Sequence, residues 1–282
     1  MGQGMDVLST GAYGTCGTAL IDHLYDRAEY EFTNLNRSDR PDDHPYGGYE
    51  TVLANVSEYD AIRPAFDGQD AVVHWAADPS TNAPWDSVLE SNIIGTYNVL
   101  EAAKEAEVES VVFASTNHVV GMWETLHSPE IYDLDSDIMV DHTDPVRPDS
   151  YYGTSKAFGE DLGRYYVENY EYPEQFYALR ICNVADAAHD HPYAHVEERV
   201  ARGELERGSE AYVNSLNRKK AMWHSRRDLA HQVDCCLQDD SVEFDVFYGV
   251  SDNDRRWFDI SHAREVIGYD PRDNGEDWDG PA

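Results

Sequence analysis

The segment that most limits what this chain can fold into lies at its start. An apolar, β-rich run at 7–10 passes without a break into Gly11-Ala-Tyr-Gly14-Thr-Cys-Gly17, and residues 18–25 then read as a helix. A strand that turns on glycines straight into a helix is the opening of a parallel α/β unit. Small residues let the backbone approach a ligand, and a helix start offers unpaired amides and the positive end of a dipole, so the turn suits a diphosphate. A glycine triplet alone also makes a ligand-free tight turn. Its position between strand and helix is what favours a dinucleotide here.

The same alternation continues along the first half. Runs at 6–10, 30–34, 71–75 and 110–114 read as strands with helix-like stretches between most of them, followed by a long helix at 152–168 and a buried strand at 175–181. That order argues for a parallel sheet covered by helices. A chain of 282 residues suits one such core with a small appended region. Residues 185–225 carry weakly periodic His, Asp, Glu and Arg and read as an irregular substrate-binding insertion above the sheet, before a strand at 244–249 and a helix at 261–268. The expected division is a dinucleotide-binding core at 1–182 and, at 183–282, mainly a substrate-binding region with a returning strand and helix. There is no internal repeat.

At the end of the second strand, where NAD-binding proteins usually set a carboxylate against the ribose, stand Asn36 and Arg37, with Arg40 beyond. Without the carboxylate a 2′-phosphate meets no repulsion, and Arg37 is able to pair with it, so these residues favour NADP over NAD. The alternative is a solvated Arg37 and an Asn36 that bonds the ribose of NAD.

Tyr152 and Lys156, in Tyr151-Tyr152-Gly153-Thr154-Ser155-Lys156, stand four apart at a helix start and share one face. A nearby ammonium favours a phenolate, so the pair is expected to lower the tyrosine pKa toward that of a general base. An aromatic helix start with a surface lysine is the ordinary reading. It loses force because the chain has only four lysines: Lys104, Lys156, Lys219 and Lys220.

The glycine loop, Phe113-Ala-Ser-Thr-Asn-His-Val-Val-Gly121 and the Tyr152/Lys156 pair together resemble the extended short-chain dehydrogenase/reductase family over nearly the whole chain. The resemblance implies a Rossmann-type doubly wound parallel sheet with a small C-terminal substrate-binding region. It implies cofactor contacts from Gly11, Tyr13, Gly14, Thr15, Gly17, Asn36, Arg37, Asn55, Val56, Trp75, Ala76, Ala77 and Ile181, as well as from Tyr152 and Lys156. It also makes Thr116 the hydroxyl partner of the catalytic tyrosine, and Asn92 the helix asparagine that supports the lysine through a water.

Two stretches narrow the resemblance to uronate dehydrogenases and haloarchaeal glucose-6-phosphate dehydrogenases: Ser115-Thr-Asn-His118 with the five residues after it, and 249–262. By that resemblance Asn117 and His118 bind sugar hydroxyls and Asn183 lies near the anomeric carbon. The implied reaction is oxidation at C1 of a cyclic sugar to a lactone, with no metal. The chain departs from the uronate pattern at 184–192, which lacks the arginine that would clamp a carboxylate. Further on, Arg218, Lys219 and Lys220 form a cationic cluster that reads as a phosphate site in so acidic a protein, or else as a helix-end patch paired with neighbouring acids. The expected substrate is therefore a hexose 6-phosphate, glucose 6-phosphate first. A uronate dehydrogenase, a nucleotide-sugar epimerase or dehydratase, and a dinucleotide-sensing regulator are the competing readings. A regulator would not need to keep the tyrosine, lysine and hydroxyl partner together.

Aspartate and glutamate number 55 against 21 lysines and arginines, a formal net charge of −34. Nucleic acid and anionic membranes are therefore not expected partners. The tyrosines, tryptophans and regular apolar segments argue against acidic disorder and for a folded surface suited to concentrated salt. Four cysteines without metal-ligand spacing, Cys235 and Cys236 adjacent, fit a reducing interior. Histidines at 189–195 lie among acids and a proline, which fits an acidic loop as well as a metal site. No run has a membrane span's length and no basic leader opens the chain, so a cytoplasmic protein is expected, paired by analogy into a homodimer or higher homo-oligomer.

Overall fold

The computed structural model describes residues 4–280. Seven parallel strands form one sheet: β1 (Met5–Thr10), β2 (Tyr30–Asn36), β3 (Thr51–Leu53), β4 (Ala71–His74), β5 (Ser110–Thr116), β6 (Gln175–Ile181) and β7 (Phe244–Gly249). Their order is β3-β2-β1-β4-β5-β6-β7. The direction of winding reverses between β1 and β4, and ligands of such sheets bind in the crevice beyond the strand ends at that point.

Ten helices flank the sheet among the described residues: α1 (Thr15–His23), α2 (Tyr59–Ile62), α3 (Trp85–Val88), α4 (Gly95–Glu105), α5 (Gly121–His127), α6 (Tyr151–Asn169), α7 (Ala194–Ala201), α8 (Glu210–Met222), α9 (Arg226–Gln238) and α10 (Ser261–Val266). A π-helical turn, Leu89–Ile94, joins α3 to α4. No helix among the described residues is long and apolar enough to cross a membrane. The four thiols are free.

The central strands are buried on both faces, which is why they read as continuous apolar runs rather than alternating ones. Val7, Val73, Val112 and Leu179 point into a core shared with α1 and α9, while Leu8, Val72, Val111 and Ala178 point into the opposite core under α4 and α6. A third, smaller core gathers Val120, Ile131, Val140, Met222, Val250, Trp257 and Phe258 beyond the sheet.

Two expectations are corrected, and one strand was not anticipated. The first helix begins at Thr15, inside the glycine loop, rather than at 18. β3 is three residues long and lies at the sheet edge, too short to show a period in the sequence. Residues 185–225 are not irregular: they hold α7 and α8. Ser209 caps α8 by accepting from the Tyr212 amide, but the helix buries only Tyr212 and its last residues, so its apolar period is faint.

Candidate active site

The crevice at the switch point is a cleft of about 550 Å³, within the range of small-molecule sites. Its floor is the turn out of β1. Gly11 has φ +72, and a Cβ there would lie 2.8 Å from the Ala76 amide nitrogen; a Cβ on Gly17 would lie 2.4 Å from the Ala12 carbonyl oxygen. Only glycine lets the turn close this tightly. No side chain caps the first turn of α1, whose N-cap is Gly14, so its amides stay available to an anion. The residues present therefore fit a dinucleotide. Tyr13, Thr15, Asn36, Arg37, Asn55 and Val56 line one half of the cleft, and Trp75, Ala76, Ala77 and Ile181 continue it toward β5 and β6.

At the end of β2 the Asn36 amide donates to the Ser38 carbonyl (2.6 Å). Arg40 is engaged, donating to the Tyr13 carbonyl (3.2 Å) with its guanidinium 5.7 Å from the Tyr13 ring centre. Arg37 is exposed and has no hydrogen-bond or ion-pair partner among the described residues.

Thr116 ends β5, and Tyr152 and Lys156 stand on the first turns of α6, whose start is fixed by the Ser150 hydroxyl accepting from the Gly153 amide (3.1 Å). All three line the cleft. The electrostatics differ from the expectation. Burial pushes the Tyr152 phenol up to about 12, with the Thr116 hydroxyl acting weakly in the opposite sense. Burial also brings the Lys156 ammonium down to about 7. Lys156 does not lower the tyrosine here because desolvation acts against both charged forms and no carboxylate among the described residues compensates. The ammonium sits 4.6 Å from the Phe113 ring centre, a weak substitute for water.

Asn92 is placed by the π turn outside the cleft lining. It accepts from the Asp78 amide (2.8 Å) and donates to the Asp78 carbonyl (3.1 Å) and the Ser155 hydroxyl (3.0 Å). Its contact on α6 is the side-chain hydroxyl of Ser155, the residue before Lys156.

Beyond Thr116 the cleft is walled by Asn117, His118 and Asn183. The buried Asn117 amide nitrogen has no partner among the described residues. His118 bonds through Nδ1 to Asp149 (2.7 Å), and its ring lies edge-on to Tyr152. Against the burial that would raise it, hydrogen bonds from His118 and Ser150 hold the Asp149 carboxyl below its usual range.

The basic cluster is split. Successive helical residues diverge by about 100°, so the three side chains of α8 leave in different directions. Arg218 lines the cleft but is held bidentate by Glu124 (2.6 and 3.1 Å), which also accepts from Tyr132 (2.5 Å). Lys219 donates to Asn183 Oδ1 (2.7 Å); burial, with Arg218 adding to it, brings its ammonium down to about 8. Lys220 is removed from the site: it is buried, pairs with Glu276 (3.1 Å) and lies over Tyr193. Of the histidines at 189–195, His189 bonds Asp186 and Glu198, His195 bonds Glu198, and His191 stacks on Trp278.

Sequence reasoning missed Asp149 and Glu124. Asp149 directly precedes the capping Ser150, a position that signals a carboxylate at the mouth of α6; Glu124 gave no signal, since a buried acid on a short helix reads like any surface glutamate.

The model of the NAD dependent epimerase/dehydratase family matches residues 7–245. The chain is 39% identical to an NAD-dependent glucose-6-phosphate dehydrogenase of Haloferax volcanii, over 96% of this chain and 95% of that one. It is 37% identical to an L-arabinose 1-dehydrogenase (NAD(P)(+)) of the same organism, over 94% and 95%. Among solved structures, uronate dehydrogenase from Agrobacterium tumefaciens superposes with a TM-score of 0.73 at 26% identity, covering 98% of this chain and 87% of that one. With a seven-stranded parallel sheet, a glycine cradle at its switch point and a family match across most of its length, the chain belongs to the NAD dependent epimerase/dehydratase family.

Proposed function

We propose that this protein is a nicotinamide-dependent sugar dehydrogenase that oxidises C1 of a hexose 6-phosphate, glucose 6-phosphate first, to the lactone. A bound nicotinamide supplies the hydride acceptor. Thr116 and Tyr152 hold the C1 hydroxyl between them, and the Tyr152 phenolate takes its proton. Lys156, when protonated, stabilises that phenolate by direct charge attraction, against the desolvation that disfavours both charged forms. Asn117, with an unpaired amide, and His118, oriented by Asp149, bind ring hydroxyls.

The observation that carries the phosphate reading is Lys219. Its ammonium, just outside the cleft lining, has no carboxylate partner among the described residues, rests on the cleft residue Asn183, and stands beside Arg218, which lines the cleft. An incoming phosphate would use those two donors. A neutral sugar is the second reading, favoured by the Glu124 carboxylate that already neutralises Arg218. Replacing Arg218 and Lys219 by alanine tests the choice. The KM for glucose 6-phosphate should rise by about tenfold or more while that for free glucose changes little, since a charge-assisted contact is worth about 1.5–3 kcal/mol. An equal effect on both sugars would discredit the phosphate.

For the cofactor we propose NAD with NADP also accepted. Two relatives carry NAD in their names, one of them NAD(P)(+). Asn36 offers no carboxylate against a 2′-phosphate, and Arg37 is free to meet one.

A further inference from the structure

Arg226 opens α9 outside the cleft lining, and its guanidinium is hydrogen-bonded on every side behind the cleft. It is 3% exposed. All five N–H groups are used. Nε and Nη2 donate to Asp22 of α1 (3.2 and 2.5 Å) and Nη2 also to Tyr46 (3.3 Å). Nη1 donates both to the Thr15 carbonyl (3.0 Å) and to the Ala185 carbonyl (3.3 Å). Thr15 is the first residue of α1, the turn whose open amides suit the diphosphate. Ala185 is buried and directly follows Asn183 and Val184, which line the cleft on the side of the proposed sugar. The Arg226 amide in addition donates to Asp190 (3.0 Å), which accepts from the Trp223 indole (3.0 Å).

We propose that Arg226 is a positioning residue that couples the cofactor loop to the sugar-binding segment, so that engagement of the dinucleotide sets the position of 184–190. The inference rests on the dehydrogenase reading above. One nitrogen bridges two carbonyls that belong to the two halves of the site and are 170 residues apart in sequence, by the difference of their numbers. The Asp22 carboxylate fixes the guanidinium plane and neutralises it, so the group acts through geometry rather than by adding charge to the diphosphate site. A lysine retains the charge opposite Asp22 but has a single nitrogen and cannot span both carbonyls together with Tyr46.

The test is amide hydrogen exchange on the full chain with NAD alone, so that it needs no knowledge of the sugar. In the unmodified protein NAD should slow exchange in both 11–24 and 184–201. In Arg226→Lys the first segment should still be protected and the second should lose its protection. On the active enzyme, Arg226→Lys should raise KM for the sugar about tenfold while the Kd for NAD moves less than about threefold, the size expected of a typical coupling between two sites. Arg227→Ala, at an exposed arginine paired with Asp273, should do neither. If Arg226→Lys proves unstable, Asp22→Asn, which frees the guanidinium plane, should give the same split to a smaller degree.

Persistent protection of 184–201 in both variants would overturn the proposal, as would loss of NAD and sugar affinity in equal measure. NAD protection without turnover of any sugar would overturn the substrate reading and leave the coupling standing. No protection of either segment by NAD in the unmodified protein would overturn the coupling.

Discussion

At Lys156 a buried ammonium on the cleft wall lies against the Phe113 ring with no acidic partner among the described residues, and burial brings it down to about 7. The unfolded chain would hold this proton up to about pH 10.4. Between these values the unfolded state binds more protons than the folded one, so the lysine costs stability that is regained as pH rises toward 10. Lys156→Met should therefore raise the melting temperature of the ligand-free protein at pH 7, by about 3 °C or more, with the gain shrinking toward pH 10, while dehydrogenase activity is lost. A lower melting temperature in the variant would show that the lysine is a structural asset. The spacing of Tyr152 and Lys156 was visible in the sequence because a helix fixes which residues share a face. Their proton affinities were not, since desolvation depends on what β5 and the glycine loop bring around them. Lys220 teaches the same lesson: three adjacent cations look like one site until the helix fans them apart and Glu276 takes the third.

Helix α6 must hold Tyr152 in register with Thr116, and the pin is a buried network one turn beyond Lys156. Glu160 accepts from Ser115 of β5 (2.5 Å) and from Arg180 of β6 (3.0 and 2.8 Å), and Arg180 also donates to Tyr248 of β7 (3.2 Å). Glu160→Gln leaves the Arg180 guanidinium buried without its counter-charge and should cost about 3–5 kcal/mol of unfolding free energy in a urea titration. Adding Arg180→Met should recover most of that loss; no recovery would mean that the network acts through packing alone. The strands of the central sheet were legible as apolar runs because both faces are covered. Helix α8 was not, because its polar faces blur the period, and β3 is too short to have one. Asp149 could have been anticipated beside the Ser150 cap, whereas the Arg218–Glu124 pair spans 94 residues and exists only in the fold.

Over the whole molecule, a formal charge of −34 places carboxylates close together across the surface. In roughly molar salt the Debye length falls to about 3 Å and their repulsion is screened. The melting temperature should rise steadily with potassium chloride and the fold should fail at low salt; indifference to salt would refute this reading of the composition. The same screening would let anionic ligands, such as a dinucleotide or the proposed sugar phosphate, approach the cleft. The central claim is C1 oxidation of a sugar by the Tyr152 site. Its most direct test is incubation in high salt with NAD or NADP and a panel of glucose 6-phosphate, glucose, arabinose, glucuronate and UDP-glucose, following reduced cofactor and identifying the product by NMR. The expected result is reduction of NAD and, more slowly, of NADP with glucose 6-phosphate, a lactone as product, and no turnover in Tyr152→Phe. Cofactor reduction that survives Tyr152→Phe, or epimerisation of UDP-glucose without net reduction, would contradict it.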